Sequence, residues 1–301
     1  MPDAPIRYFD RASGQTRTER VYGDRWLRFA YGNPAGRLGV WLLFRRAFFS
    51  RWYGWRMNKR ASGLRVLPFI ADFDIDVDDF EKSAFDFRTF NEFFHRALKP
   101  GARPIAPGER TAIFPADGRH LVFPNAAAAE GIYVKGQRLP VAELLDDPAL
   151  GGKFEGCGML ISRLCPSDYH RFHFPVDGVP GEARLVGGWL YSVNPVALRR
   201  NLRYLVENRR MITVIESPAW GTTAMIEIGA TNVGSIRQGF TPGNPVRKGD
   251  EKGFFAFGGS CVITLFAPGR MRFDADLVEQ SSRQVETYAR MGGRLGEALP
   301  D

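Results

Sequence analysis

The chain has 301 residues, with 41 Lys or Arg against 33 Asp or Glu and a net charge of +8. That length is ample for one large domain or two smaller ones, and the composition agrees with a soluble enzyme built on one main core. Three cysteines, Cys157, Cys165 and Cys261, are odd in number and form no CxxC pair, which argues against disulfides and a zinc site and for a reducing compartment.

The residues after Met1 include Pro2, Asp3 and Pro5 and lack the apolar segment of a secretory leader, so none is expected. From Arg25 to Ala71 there are ten Lys or Arg and not one Asp or Glu. Within this stretch Trp41, Phe44, Phe48, Trp52 and Trp55 fall on one stripe at helical spacing, with Arg46 opposite and Arg45 and Arg51 flanking. The uncharged run, Leu38–Phe44, is far shorter than the ~20 residues of a bilayer span. The pattern reads either as a helix packing on the protein's own core or as one lying on anionic lipid. The uncompensated cations favour lipid, because a core-facing helix needs no such excess. Nucleic acid is not expected as a partner, since the cations sit among bulky apolar side chains and no nucleic-acid motif occurs.

Asp72, Asp74, Asp76, Asp78 and Asp79 invite a calcium reading. The glycine and glutamate that such a loop needs are absent at the required positions, so no metal is expected. Asp79–Leu98 reads as helix, and Lys99–Pro104 is a breaker cluster that closes the first part of the chain. Beyond it, short apolar runs punctuated by Gly and Pro mark strands at Ala112–Pro115, Gly158–Ser162, Met211–Glu216, Ala224–Gly229, Val233–Ile236 and Cys261–Phe266. Val196–Val206 and Leu277–Met291 look helical. The basic run Arg199–Arg203 and the pair Arg209 and Arg210 read as solvated helix surface, with lipid phosphate as the other reading. The fold class is therefore α+β: an N-terminal helical, membrane-facing region over residues 1–100, then a β-rich catalytic core of packed or barrel-like antiparallel sheets over 101–301.

Three segments carry chemistry. Phe257-Gly258-Gly259-Ser260 opens the last strand, and two glycines leave room for the Ser260 hydroxyl to approach the Gly259 carbonyl. By itself this is equally a turn entering a strand. Pro115-Ala116-Asp117-Gly118 sets a carboxylate in a turn, and Asp168-Tyr169-His170-Arg171-Phe172-His173-Phe174-Pro175 holds two of the four histidines. Asp, His and Ser are the ingredients of an activated hydroxyl. On a straight strand His170 and His173 would face opposite sides, so sharing one site requires a turn, a bulge or the strand's end.

These motifs resemble those of the phosphatidylserine decarboxylases, pyruvoyl enzymes made as inactive proenzymes. Pro115–Gly118 is similar to the family's aspartate turn, Asp168–Pro175 to its Tyr-His-x-x-His-x-Pro signature, and Gly258-Gly259-Ser260 to the processing site of one bacterial branch. Tyr133-Val134-Lys135-Gly136, Ser192–Pro195, Val233–Ile236, Lys248–Gly253, Phe90–Arg96 and Arg103–Ile105 extend the likeness over most of the chain. Cys261 departs from the pattern, standing where Thr is common. The resemblance implies autocatalytic serinolysis between Gly259 and Ser260, giving a large chain 1–259 and a small chain 260–301 capped by a pyruvoyl group derived from Ser260. Asp117 would orient His173, His173 would be general base on Ser260, and His170 would serve substrate handling or proton transfer. The substrate amine would form a Schiff base on the ketone, and phosphatidylethanolamine would be released. The resemblance also implies a homodimer. Together with the basic aromatic segment it sets the expected location, peripheral on the cytoplasmic face of the cell membrane. Two other classes stay open: a Ser-His-Asp lipid hydrolase that does not cut itself, although Gly-x-Ser-x-Gly is absent, and a non-enzymatic membrane-associated β domain.

Overall fold

The computed structural model describes residues 4–128, 133–134, 136–231, 235–256 and 260–300. Its strands, in chain order, are β1 Arg7–Asp10, β2 Gln15–Thr18, β3 Thr111–Ile113, β4 Gly118–Phe123, β5 Gly158–Leu164, β6 Arg171–His173, β7 Val179–Pro180 and β8 Arg184–Val186. They continue with β9 Arg210–Ser217, β10 Gly221–Ile228, β11 Ile236–Gln238, β12 Glu251–Phe255, β13 Ser260–Phe266, β14 Met271–Phe273, β15 Glu286–Ala289 and β16 Arg294–Ala298. Ten of them form one open sheet in the order β2-β1-β15-β4-β5-β13-β10-β9-β7, with β8 also on β9. Two three-stranded sheets, β11-β12-β6 and β14-β16-β3, complete an α+β architecture without a closed barrel among the described residues.

Strict alternation along the central strands sorts side chains to two faces. Cys261, Ile263 and Leu265 of β13 point to one core with Ile161 of β5 and Ala224 and Ile226 of β10. Val262 points the other way, where Leu164, Met225, Phe172, Phe174 and Phe255 gather between the large sheet and β11-β12-β6. A bulge at Lys252 shifts the register between β12 and β6. Lys252 is buried, and its Nζ lies 3.0 Å from Glu227 of β10, tying the small sheet to the large one.

The sheet begins earlier in the chain than expected. β1 and β2 precede any helix, and β1 pairs in parallel with β15. The helices follow: α1 Asp24–Gly32, α2 Pro34–Gly39, a π-helical turn Val40–Phe44, α3 Ala47–Met57, α4 Val66–Phe73 and α5 Phe90–Phe94. Pro34 and the Asn33 side chain, which accepts from Ala35 N at 2.9 Å, start α2 in the usual manner of an N-terminus. Arg46 is extended, so the aromatic stripe spans a break rather than one continuous helix. No described helix is long and apolar enough to cross a membrane.

The helix expected over 79–98 is only α5; Phe80, Phe87, Phe90, Phe93 and Phe94 instead collect with Phe69 and Met57 in one aromatic cluster. Mixed spacing of this kind is satisfied by edge-to-face rings on a folded loop as well as by a helical stripe. The tail likewise divides into a helix, Ala275–Ser282, and β15, and Val196–Val206 into short helices at Pro195–Leu198 and Tyr204–Glu207.

A buried ion cluster clamps the N-terminal strands to the sheet. Arg163 of β5 donates to Glu19 at 2.5 Å and to Glu286 of β15 at 2.6 Å, while Arg119 of β4 donates to Asp168 at 2.5 Å. Burial opposes the charge on Glu19, yet Arg163 and Arg119 overcome it and hold the carboxylate below its usual range. Removing one member leaves uncompensated charge, so Arg163→Met should cost about 3–5 kcal/mol in chemical denaturation. A loss under about 1 kcal/mol would contradict this role.

Candidate active site

Strand register assembles the site. Arg119 of β4 pairs with Arg163 of β5, and Arg163 pairs with Cys261 of β13. Gly118 and Ser260, the first residues of β4 and β13, are therefore level with Leu164 between them. Gly118 must be glycine, because a Cβ there would lie 2.6 Å from the Arg163 carbonyl oxygen. Ser260 shares the face of Val262, which packs against the small sheet carrying His173. It is fully buried, and its Oγ has no hydrogen-bond partner among the described residues. Gly258 and Gly259 lie outside the described residues, as do Lys135, Val233 and Gly234 of the supporting motifs.

Asp117 precedes Gly118 and is buried. Arg103 grips its carboxylate with Nε at 2.9 Å and one terminal nitrogen at 2.6 Å, and Met291 N donates at 2.8 Å. Arg103 also reaches Asp79 at 2.7 Å. The Pro115 carbonyl accepts from His173 N at 2.7 Å, which docks the aspartate turn on β6.

His173 is not oriented by an Asp117 hydrogen bond as expected. Its Nδ1 lies 2.8 Å from the Gly249 carbonyl, which can only accept, so Nδ1 carries the proton. Nε2 then offers its lone pair, 3.2 Å from the Tyr169 hydroxyl. The aspartate's carboxylate is occupied by a fork of arginine donors and acts on the imidazole only through its charge. Burial lowers the His173 pKa, and the Gly249 bond and the Glu251 and Asp117 charges only partly oppose it.

His170 precedes β6, at the strand's end, and its carbonyl accepts from Phe255 N at 3.0 Å. Its ring lies on Phe94 with centroids 3.8 Å apart. Nδ1 faces the Asp168 carbonyl at 2.9 Å, leaving buried Nε2 without a partner among the described residues. Burial drives its pKa down to about 3, so the ring is neutral. Cys261 faces the opposite core from Ser260, and burial pushes its thiol pKa up. All three cysteines are free and buried.

The aromatic stripe is exposed, not packed on the core. Trp41 is 53% and Trp55 56% accessible, and Phe48 and Trp52 are also exposed; Phe44 is half-buried. Twelve of the seventeen exposed large apolar side chains among the described residues fall between Tyr22 and Leu67, so exposed apolar area concentrates in this segment of the chain. Arg45 is a correction: it is 8% accessible, bonds the Tyr191 hydroxyl at 2.7 Å and stacks 4.1 Å from the Trp189 ring, so it anchors the helices instead of meeting lipid. Arg46 stacks on the same Trp189 ring at 4.8 Å. Of the second basic group, Arg203 is paired with Glu143, and Arg210 is buried among backbone carbonyls.

Sequence reasoning missed the roles of Arg103, Arg119, Phe94 and the Gly249 carbonyl. Arg103, Phe94 and Gly249 lie in segments that extend the likeness, but what each does depends on a partner outside its own segment. His173 is neutral with a pKa below the ordinary 6.5, so self-cleavage that uses it as base should be level from about pH 8 to 6.5 and decline only in more acid buffer. A timed gel assay checks this; a decline beginning above pH 7 would contradict it.

A family model described as phosphatidylserine decarboxylase matches residues 90–297. The chain is 45% identical over 297 residues to a phosphatidylserine decarboxylase proenzyme of Chlamydia muridarum, covering 99% of each. It is 38% identical to the proenzyme of Fusobacterium nucleatum, with 97% of each chain covered. To that of Desulfitobacterium hafniense it is 39% identical, over 97% of this chain and 98% of the relative.

Proposed function

The chain belongs to the phosphatidylserine decarboxylase family, and from that membership we propose that it cuts itself at Gly259–Ser260 and then converts phosphatidylserine to phosphatidylethanolamine in phospholipid biosynthesis. The observation that carries the reading is Ser260: a buried hydroxyl without a partner among the described residues, first in its strand, level with the Asp117 turn and facing the sheet that bears His173. A hydrolase acting on outside substrates needs a reachable nucleophile, and a passive β domain needs no such buried polar set.

In this reading His173 Nε2 takes the Ser260 proton as Oγ attacks the Gly259 carbonyl, turning amide into ester. Loss of the Ser260 α-proton expels the Gly259 carboxylate, and one water enters as ammonia leaves. Gly249 fixes the base's tautomer, and Asp117, held by Arg103, contributes negative charge that stabilises the imidazolium. The residues fit a pyruvoyl group at position 260: the ketone forms at Cα as the nitrogen leaves, and a small methyl takes the place of the buried hydroxyl, whose oxygen departs with the Gly259 carboxylate. Once formed, the pyruvoyl group supplies the electron sink for decarboxylation that no ordinary side chain can. His170 Nε2 offers a neutral buried acceptor for substrate or a moving proton. Among the described residues no His, Cys, Asp and Glu cluster could hold a metal ion.

The exposed Trp41, Phe48, Trp52 and Trp55, with Arg46 and Arg51, form the surface we assign to anionic lipid, on the cytoplasmic face where such lipid concentrates. Arg56 and Lys59 lie on the Trp52 and Trp55 rings at 5.2 and 3.6 Å, interleaving charge with the aromatic layer.

The function is tested by adding processed protein to phosphatidylserine vesicles and following carbon dioxide, which a carbonyl reagent should abolish; undiminished release would contradict it. His173→Ala should slow self-cleavage ~10²–10⁴-fold, and prompt processing would refute its role. Replacing Trp41, Trp52 and Trp55 by Ala should weaken pelleting with anionic vesicles roughly tenfold or more while cleavage proceeds; unchanged pelleting would remove the surface from the reading.

A further inference from the structure

Separate from the Ser260 cluster, a cavity of about 320 Å³ opens between α3, α5 and the β11–β12 pair. Arg51, Trp55 and Asn58 line it from α3 and its end, His95 from the end of α5, Arg237 from β11, and Ala256 from the residue after β12. No carboxylate lines it, and among the described residues neither Arg51 nor Arg237 has a carboxylate within ion-pair distance. The neighbouring Arg171 is different, being paired with Glu251 at 2.8 Å. A partnerless surface arginine is ordinary. Two of them converging on one concave site from segments 186 positions apart (237 − 51), with an amide beside them, make a donor set that matches phosphate oxygens.

Resting on the function proposed above, we infer that this cavity binds the phosphodiester of the lipid substrate through Arg51 and Arg237. The order of groups along phosphatidylserine fits the order of elements. Trp55 sits at the exposed aromatic surface, where the acyl chains would lie. Arg51 and Arg237 come next. Ala256 stands four positions before Ser260 in the sequence, and only a few bonds separate phosphorus from the serine amine. The short helix α5 joins the two sites: Asn91 and His95 face the cavity, while Phe94 supports His170. The cavity thereby selects the phosphorylated head group over free serine, which lacks the anion that the arginines hold.

The test uses processed wild-type protein, Arg237→Gln, Arg237→Lys and the double variant Arg51→Gln/Arg237→Gln. Substrates are phosphatidylserine in phosphatidylcholine vesicles and the soluble head group glycerophosphoserine. Arg237→Gln should raise KM for both about tenfold with kcat little changed, and the double variant further; Arg237→Lys should recover part of the loss. Calorimetry of glycerophosphoserine with uncut Ser260→Ala protein should show binding that Arg237→Gln abolishes. Variants that cut themselves but keep the wild-type KM and binding would overturn the inference alone. So would a loss confined to vesicle pelleting, which would make the arginines surface charge only. Inorganic phosphate competing as strongly as glycerophosphoserine would overturn the diester assignment. A wild-type chain that neither cuts itself nor releases carbon dioxide would instead overturn the reading on which this one rests.

Discussion

Pairing on both sides of β13 holds Ser260 in place. Leu164 lies opposite it on β5, and β10 runs along the other edge as far as the Ile228–Cys261 pair. A strand fixed by two neighbours cannot rotate its first residue outward, so the Ser260 hydroxyl stays in a water-poor interior with no hydrogen-bond partner among the described residues. An unpaired buried hydroxyl costs roughly 1–3 kcal/mol. That cost disappears if the oxygen becomes part of a new bond, and in the proposed reading the fold thereby favours reaction over rest.

Charge is managed on the same principle. Arg103 neutralises Asp117, Arg119 neutralises Asp168, and Arg163 bridges Glu19 and Glu286. Each of these carboxylates thus has a cation within ion-pair distance, and both signature histidines remain neutral. A neutral imidazole with one nitrogen committed to a carbonyl has a defined lone pair, which a base requires. The Asp168 carbonyl does this for His170 and the Gly249 carbonyl for His173. Backbone oxygens, not side-chain carboxylates, therefore set both tautomers.

The strands around the site are legible in the sequence because apolar runs bounded by glycine and proline are a local signal: the expected Gly158–Ser162 and Cys261–Phe266 fall within β5 and β13, which extend to Leu164 and begin at Ser260. On a straight strand His170 and His173 would face opposite sides, and two features depart from that case. β6 starts only at Arg171, and its partner carries the Lys252 bulge. What was illegible depended on distant partners. β1 and β2 are four residues each, β2 polar and exposed throughout, and they exist because β15 offers an edge. Arg45 sits in a basic aromatic stretch indistinguishable from its neighbours, and Trp189 and Tyr191, far along the chain, help to bury it. Asp117 fitted the pattern of a triad carboxylate, yet Arg103 takes its hydrogen bonds.

In this reading the chemistry and the membrane surface form one path, from aromatic side chains through two arginines without a carboxylate partner among the described residues toward Ser260. Intact-mass analysis of the purified wild-type chain tests that path at its origin. Two fragments, 1–259 and 260–301, should appear, their masses summing to the whole plus one water less one ammonia, with the smaller one refusing stepwise N-terminal degradation. A single uncut chain that decarboxylates phosphatidylserine at full rate would contradict the mechanism proposed here.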